Sequence, residues 1–230
     1  MIQMKEYPKI NTIYKRGAEH TLEYGKLLLG QWSQPEFQYL KDCVWVGTEK
    51  VDGTNIRIGW QRGQPIQIGG KTDNAQIYVP LLTRCQELFG DGKIDKAIDM
   101  TKTEEMTLYG EGYGAKIQKG GGNYKPDGVD FVLFDIRIGD WWLEREAVVD
   151  VATRLQIGVV PIIYTGGLEK AVAPTRAGFD SLWGDFLAEG MVLRPQVELK
   201  TRAGHRIITK IKNKDFKDAI DSPRRTDGTL

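Results

Sequence analysis

The stretch Thr48-Glu49-Lys50-Val51-Asp52-Gly53-Thr54-Asn55-Ile56-Arg57 sets one lysine between two carboxylates, just ahead of a glycine. Such an amine could act as a nucleophile, but only in its neutral form. Its reference pKa is near 10.4, so at pH 7 only about one amine in a few thousand carries a free lone pair. Bringing it near neutrality takes about 4 kcal/mol of selective destabilisation of the ammonium, which burial and cationic neighbours supply. Lys210 and Lys212, two apart and therefore on one face of a strand, are candidate neighbours, and a bound metal would be another. The plainer reading is a hairpin in which Val44-Trp45-Val46 and Ile56-Arg57-Ile58 alternate as strands around the turn pair Asp52-Gly53. Both readings can hold, because Lys-x-Asp-Gly alone arises by chance in about a few per cent of chains this long.

The remaining chemistry-bearing residues are carboxylates read as lying in glycine turns (Asp52, Glu111, Glu189) and the pair Lys210/Lys212. This inventory fits phosphoryl transfer, which depends on positioning and on neutralising charge at phosphate oxygens. A hard cation that keeps most of its waters needs few direct ligands, so scattered carboxylates suffice for it.

The elements that must position these groups are mostly strands. Residues 7–16 open as a basic, aromatic segment with Pro8, an edge strand or lead-in on one reading and the wall of a site on another. Strands are expected at Cys43–Val46, Pro65–Ile68, Thr107 into a glycine turn at Gly114, Phe131–Ile138, Gly158–Tyr164, Ala188–Pro195 and Ile207–Asn213. Helices are expected at Tyr78–Phe89, Glu144–Leu155 and Thr175–Leu187, the last with Phe179, Leu182, Trp183 and Phe186 inward. Asp95–Met100 reads as a short helix or loop, and Lys214–Ile220 as a closing helix. The segment Lys116–Pro126, with lysines interleaved with Tyr124, reads equally as a mere connection or as a contact for a nucleic-acid backbone. Strands and helices mix without a regular βαβ rhythm, which favours an α+β class with antiparallel sheets.

Composition excludes more than it selects. A chain of 230 residues with 40% hydrophobic and 27% charged residues is ordinary for a globular protein. Its formal net charge of +1 means that any polyanion site must come from local clustering. Cys43 and Cys85 lack metal-type spacing, and His20 and His205 are too few for a histidine-rich metal site or a serine–histidine triad. No run approaches membrane-spanning length and the first residues lack an apolar leader, so a cytoplasmic location is expected, the host cytoplasm if the protein is viral.

Five segments, in order, carry a resemblance. Lys50-Val51-Asp52-Gly53, Tyr109-Gly110-Glu111-Gly112, Phe131-Val132-Leu133-Phe134-Asp135, Glu189-Gly190-Met191-Val192 and Lys210-Ile211-Lys212 resemble motifs I, III, IIIa, IV and V of the covalent nucleotidyltransferases, the polynucleotide ligases and mRNA capping enzymes. Glu49 before the lysine and Thr54-Asn55 after the glycine are most similar to the RNA ligase 2-like branch. The resemblance implies a nucleotidyltransferase (adenylation) domain, with antiparallel sheets flanked by helices around a central nucleotide cleft. It implies an ATP-dependent RNA ligase that joins 3′-hydroxyl and 5′-phosphate ends through lysyl-AMP and adenylated-polynucleotide intermediates.

Carried over residue by residue, it implies that Lys50 is the nucleophile, that Glu49 contacts the adenine edge and that Phe134 stacks on the ring. Asn55 and Glu111 would hold the ribose or a nearby phosphate. Asp52, Glu111 and Glu189 would orient waters on magnesium, with manganese an acceptable substitute, and Lys210 and Lys212 would grip the α-phosphate. Lys71 falls where the ligase branch carries an arginine, which keeps the charge but loses bidentate geometry.

The expected organisation is one catalytic domain over residues 1–220 and a loose tail over 221–230, with no oligonucleotide-binding domain after the last motif. Nucleic acid, RNA before DNA, is the expected partner. Its grip would come from Lys200, Arg202, Arg206, Lys214 and Lys217, or from a helper domain or protein. The alternatives are a minimal DNA nick-sealing ligase, a capping guanylyltransferase, and a non-catalytic nucleic-acid-binding module.

Overall fold

The computed structural model describes residues 4–98, 103–217 and 219–221. In chain order the elements are β1 (Asn11–Thr12), β2 (Tyr14–Arg16), β3 (Leu27–Trp32), α1 (Pro35–Tyr39), β4 (Trp45–Glu49), β5 (Thr54–Gln61), β6 (Gln67–Gly69), α2 (Val79–Phe89), α3 (Lys93–Ala97), β7 (Glu105–Gly114), α4 (Gly121–Tyr124), β8 (Val129–Ile138), β9 (Trp141–Trp142), α5 (Arg145–Leu155), β10 (Gly158–Val159), β11 (Ile162–Gly166), α6 (Val172–Ala177), β12 (Gly190–Pro195), β13 (Thr209–Lys212) and β14 (Ile220–Asp221). No helix among the described residues is long and apolar enough to cross a membrane.

The chain divides into two compact units. The first holds Met1–Pro8, Val51–Pro161 and Leu182–Phe186. Its sheet runs β10-β8-β7-β5-β6, with β9 against β8. Ile56, Ile58 and Trp60 of β5, Leu108 of β7 and Phe131 and Leu133 of β8 face a core closed by Leu81, Cys85 and Phe89 of α2 and by Val148, Val151 and Ala152 of α5. Burial drives these amphipathic helices onto the sheet, and it pushes the Cys85 thiol up to about 12. Strand alternation sends Asn55 and Arg57 to the opposite face.

The second unit holds Lys9–Lys50, Ile162–Ser181 and Leu187–Leu230. Its main sheet runs β1-β13-β12-β4-β11, and a small one runs β14-β3-β2. Ile13, Leu27, Phe37, Trp45, Leu193 and Ile211 form its core.

The α+β class and the antiparallel sheets are as expected, and several local expectations are corrected. β4 and β5 do not form a hairpin: β4 pairs with β11 and β12, whereas β5 pairs with β6 and β7. Residues 158–164 are two strands in different sheets, split at Val160-Pro161, where proline lacks the donor a ladder needs. Thr175–Leu187 is not a helix. α6 ends at Ala177, Gly178 takes φ +87°, and Leu182 lies exposed.

Glu111 lies within a strand, not in a turn, because β7 continues to Gly114. A Cβ on Gly110 would lie 2.0 Å from Phe131, and one on Gly112 would lie 2.3 Å from Leu81. These glycines thus provide clearance for the core. After β13, residues Asn213–Phe216 form a 3-10 turn, and Ile220–Asp221 pair with β3 in place of the expected helix. The expected tail lies outside the described residues beyond Asp221, as does Met100.

Candidate active site

In the second unit the topology brings four sequence-selected residues to one end of three adjacent strands. β12 lies between β4 and β13 and is antiparallel to both. Its start therefore meets their ends. Glu49 ends β4 and Lys50 follows it, Glu189 precedes β12, and Lys212 ends β13. The Lys50 backbone N–H donates to the Gly190 carbonyl at 2.9 Å. Gly190 is required by close approach, since a Cβ there would lie 2.0 Å from the Ile211 carbonyl oxygen.

The Glu189 carboxylate bridges two ammonium groups. Lys50 Nζ donates to its Oε2 at 2.6 Å, and Lys212 Nζ lies 2.8 Å from its Oε1. Burial pushes the Glu189 carboxyl up, but Lys50 and Lys212 override it and hold the group below the usual carboxylate value. Burial, followed by the charges of Lys212 and Lys50, holds the Lys210 ammonium below the usual lysine value. Three lysines around one carboxylate leave an excess of positive charge, which suits a phosphate. Glu49 is buried beside them, and Ser181 Oγ donates to its Oε1 at 2.6 Å.

The first unit carries the other selected residues. Asn55 of β5 faces Glu111 of β7 across the ladder. Asn55 Oδ1 is buried with no hydrogen-bond partner, so an acceptor is left ready for a donor such as a ribose hydroxyl or an ion-bound water. Asp52 Oδ2 accepts from the Gly120 N–H at 3.1 Å. Opposite β7, the β8 register passes from Asp135 at Tyr109 to Leu133 at Gly110, which makes Phe134 the residue of a bulge. Bulges re-aim a side chain, and Phe134 is half-buried against the cluster of Val51, Tyr124, Val132 and Val160.

Lys71 is exposed on the bend after β6. Among the described residues no three His, Cys, Asp or Glu side chains gather into a metal cage. Within the first unit, the carboxylates of Asp52 and Glu111 are oxygen donors of the kind a hydrated hard cation takes through water, and in the second unit Glu189 is another.

Two expected surface contacts are corrected. Arg206 is buried in a bidentate pair with Glu198, at 2.6 and 2.7 Å, so it does not grip substrate. Tyr124 is buried against Trp183 and Phe186 and anchors the 116–126 segment. Lys200, Arg202, Lys214 and Lys217 are exposed. Sequence reasoning missed Ser181, hidden inside a helix that does not form. It also missed Arg57, which is fully buried and donates to the Met4 and Gly70 carbonyls and to Asp73. The only signal for Arg57 was its place opposite Ile56 and Ile58 in the alternation.

A mixed α+β fold with a lysine just after one strand, a glutamate just before the next and a lysine pair on a third defines a covalent nucleotidyltransferase of the ligase type. The RNA ligase family model matches residues 44–212, and the chain belongs to that family. Solved structures of Naegleria gruberi RNA ligase share the fold. The form with PPi is 20% identical, with a TM-score of 0.60 over 93% of this chain and 63% of that one. A mutant with ATP and Mn is 19% identical, with a TM-score of 0.62 over 93% and 64%. A mutant with AMP and Mn is 19% identical, with a TM-score of 0.60 over 79% and 53%. This chain thus spans between about half and two-thirds of the length of those relatives. No curated protein matches it by sequence.

Proposed function

We propose that the chain is the catalytic part of an ATP-dependent RNA ligase that seals 3′-hydroxyl to 5′-phosphate ends. The observation that carries this reading is the buried Glu189 carboxylate held between Lys50 and Lys212. A solvated strand face has no use for such a cluster, whereas transfer of a nucleotide through a lysine does. Lys50 parts from Glu189, passes its ammonium proton to water and attacks the α-phosphorus of ATP. The N–P bond forms as the P–O bond to pyrophosphate breaks, and Lys210 and Lys212 stabilise the charge that develops on the phosphate oxygens. AMP then passes to a 5′-phosphate end, and a 3′-hydroxyl displaces it.

Glu49 would accept from the adenine amine through its carboxylate, while Ser181 Oγ donates to its Oε1. Asn55 and Glu111 would hold the ribose or a nearby phosphate, and Phe134 would stack on the base. Lys71 keeps only the weaker role of an exposed charge. Asp52, Glu111 and Glu189 would hold magnesium or manganese through water, and the ion would neutralise phosphate charge. RNA is favoured over DNA by the family; a nick-sealing DNA ligase is the second reading.

The test is self-adenylylation. Incubation with magnesium and α-labelled ATP should place label on the denatured wild-type chain and none on Lys50→Ala. Label from GTP alone would replace the ligase reading with capping. Absence of label from either nucleotide would refute covalent nucleotidyl transfer. Nicked and single-stranded RNA and DNA panels then assign the strand.

A further inference from the structure

The first unit holds an unusual density of contacts at one residue near the chain start. Tyr7 Oη donates to Asp135 Oδ2 at 2.6 Å, and Asp135 is 2% exposed. The Tyr7 ring stands edge-on to Phe134, with centroids 5.0 Å apart and planes at 77°, and edge-on to Trp142 at 5.4 Å. It also tilts against Tyr109 at 5.2 Å. The segment that carries it is tied down twice more from the sheet. Arg57 Nη1 donates to the Met4 carbonyl at 2.8 Å, and Tyr109 Oη donates to the Lys5 carbonyl at 2.9 Å. All of these donors and acceptors belong to one face of the sheet or to the strap itself.

Phe134 occupies the bulge, where the ladder leaves a residue unpaired and its direction less determined. Something else must fix that ring. Tyr7 does so in two ways, since its ring meets the Phe134 ring in a T-shaped contact and its hydroxyl holds Asp135, the next residue along the bulged strand. Edge-to-face pairs of this kind prefer a defined angle. A hydrogen bond to a buried carboxylate is among the stronger ones.

We propose that Tyr7 is a positioning residue for nucleotide recognition, clamping Phe134 in the orientation that lets it stack on the base of ATP, with residues 4–7 serving as its strap. The inference rests on the ligase reading and on Phe134 as the stacking ring. It adds a specificity device that lies outside the five motif segments. Tyr7 acts through Phe134 and on the base, so its loss should weaken binding of the nucleoside moiety and leave the grip on phosphates unchanged.

The test measures self-adenylylation of the full chain with Tyr7→Phe, Tyr7→Ala, Phe134→Leu and the Tyr7→Ala/Phe134→Leu pair. Base stacking is worth about 1–3 kcal/mol, or roughly five- to 150-fold in affinity. Tyr7→Ala should raise the KM for ATP by about tenfold with kcat changed less than about threefold, and inhibition by inorganic tripolyphosphate should be unaltered. Tyr7→Phe, which keeps the ring, should recover most of the affinity. The pair should be no worse than Phe134→Leu alone, because both changes remove one stacking surface. Multiplying effects in the pair, equal loss toward tripolyphosphate, or a wild-type KM in Tyr7→Ala would each overturn the proposal. A wild-type chain that takes no label from ATP would instead overturn the ligase reading beneath it.

Discussion

Replacing Glu189 by glutamine removes one negative charge and keeps the shape, so it isolates what the bridging carboxylate does for the lysine cluster. The Glu189 side chain is 11% exposed, and its partners Lys50 and Lys212 are 22% and 20% exposed. Breaking a buried ion pair by removing one member costs about 3–5 kcal/mol, whereas exposed pairs are worth about 0–1. Groups about one-fifth exposed lie between these limits, and glutamine still accepts one hydrogen bond. A loss of about 2–3 kcal/mol is therefore expected, which for a chain of this size lowers Tm by about 5–10 °C. The three ammonium groups would then lack their counter-charge, so an added anion should take its place. Pyrophosphate or sulfate should stabilise Glu189→Gln more than wild type in thermal melts, by mass action on the folded form. A Glu189→Gln variant that melts with the wild type, or anions that raise both proteins equally, would refute this role of the carboxylate.

Gly110→Ala should be among the most damaging single-methyl additions, because the new Cβ would lie 2.0 Å from Phe131 and 2.5 Å from the Val132 carbonyl oxygen. Overpacking of this kind costs about 1–3 kcal/mol or more, and a urea melt of Gly110→Ala beside Gly122→Ala, where nothing lies within 4 Å, measures it. Acid stability supplies another check. Burial pushes Asp130 up, but hydrogen bonds from Lys125 and Arg84 prevail and hold it below its usual value; Glu189 is depressed in the same net direction. A carboxylate with a lowered folded pKa stabilises fully above its unfolded pKa, about pH 4, and loses that contribution as pH falls through the folded value. Asp130→Asn should therefore flatten the acid limb of a stability–pH curve below about pH 4, and an unchanged limb would contradict the assignment.

The parts of this molecule that sequence made legible are those encoded by strand alternation and short segments. Lys210 and Lys212 share a face because the side-chain period is two, and Ile211 between them is buried in the core. The helices at Val79–Phe89 and Arg145–Leu155 were legible from their apolar faces. What failed was whatever depends on partners distant in sequence. Alternation identified β4 and β5 as strands but could not say that they enter different sheets. Phe179, Trp183 and Phe186 mimic helical spacing, yet Phe179 packs in the second unit's core and the other two in a cluster of the first. Gly110 and Gly112 resemble a turn until Phe131 and Leu81 are seen against them.

The convergence on Glu189 follows from this same interplay of local period and distant pairing. Glu189 presents its carboxylate at the start of a strand whose two neighbours end there, so chain directions alone bring Lys50 and Lys212 within reach. The register must also be right. Gly190 stands opposite Lys212 and Val192 opposite Lys210, and a slip of one residue along β13 would turn both lysines into the core and Ile211 out to face the carboxylate. Such a slip would bury two ammonium groups without partners, a cost larger than any gain from the ladder. The buried Ile211, the close-approach glycine at 190 and the Lys50 N–H bond to its carbonyl fix the register from three directions. The positive cluster is thus a consequence of how the core closes, which is why Lys50, Glu189 and Lys212, distant from one another in sequence or in different strands, are held at hydrogen-bonding distances.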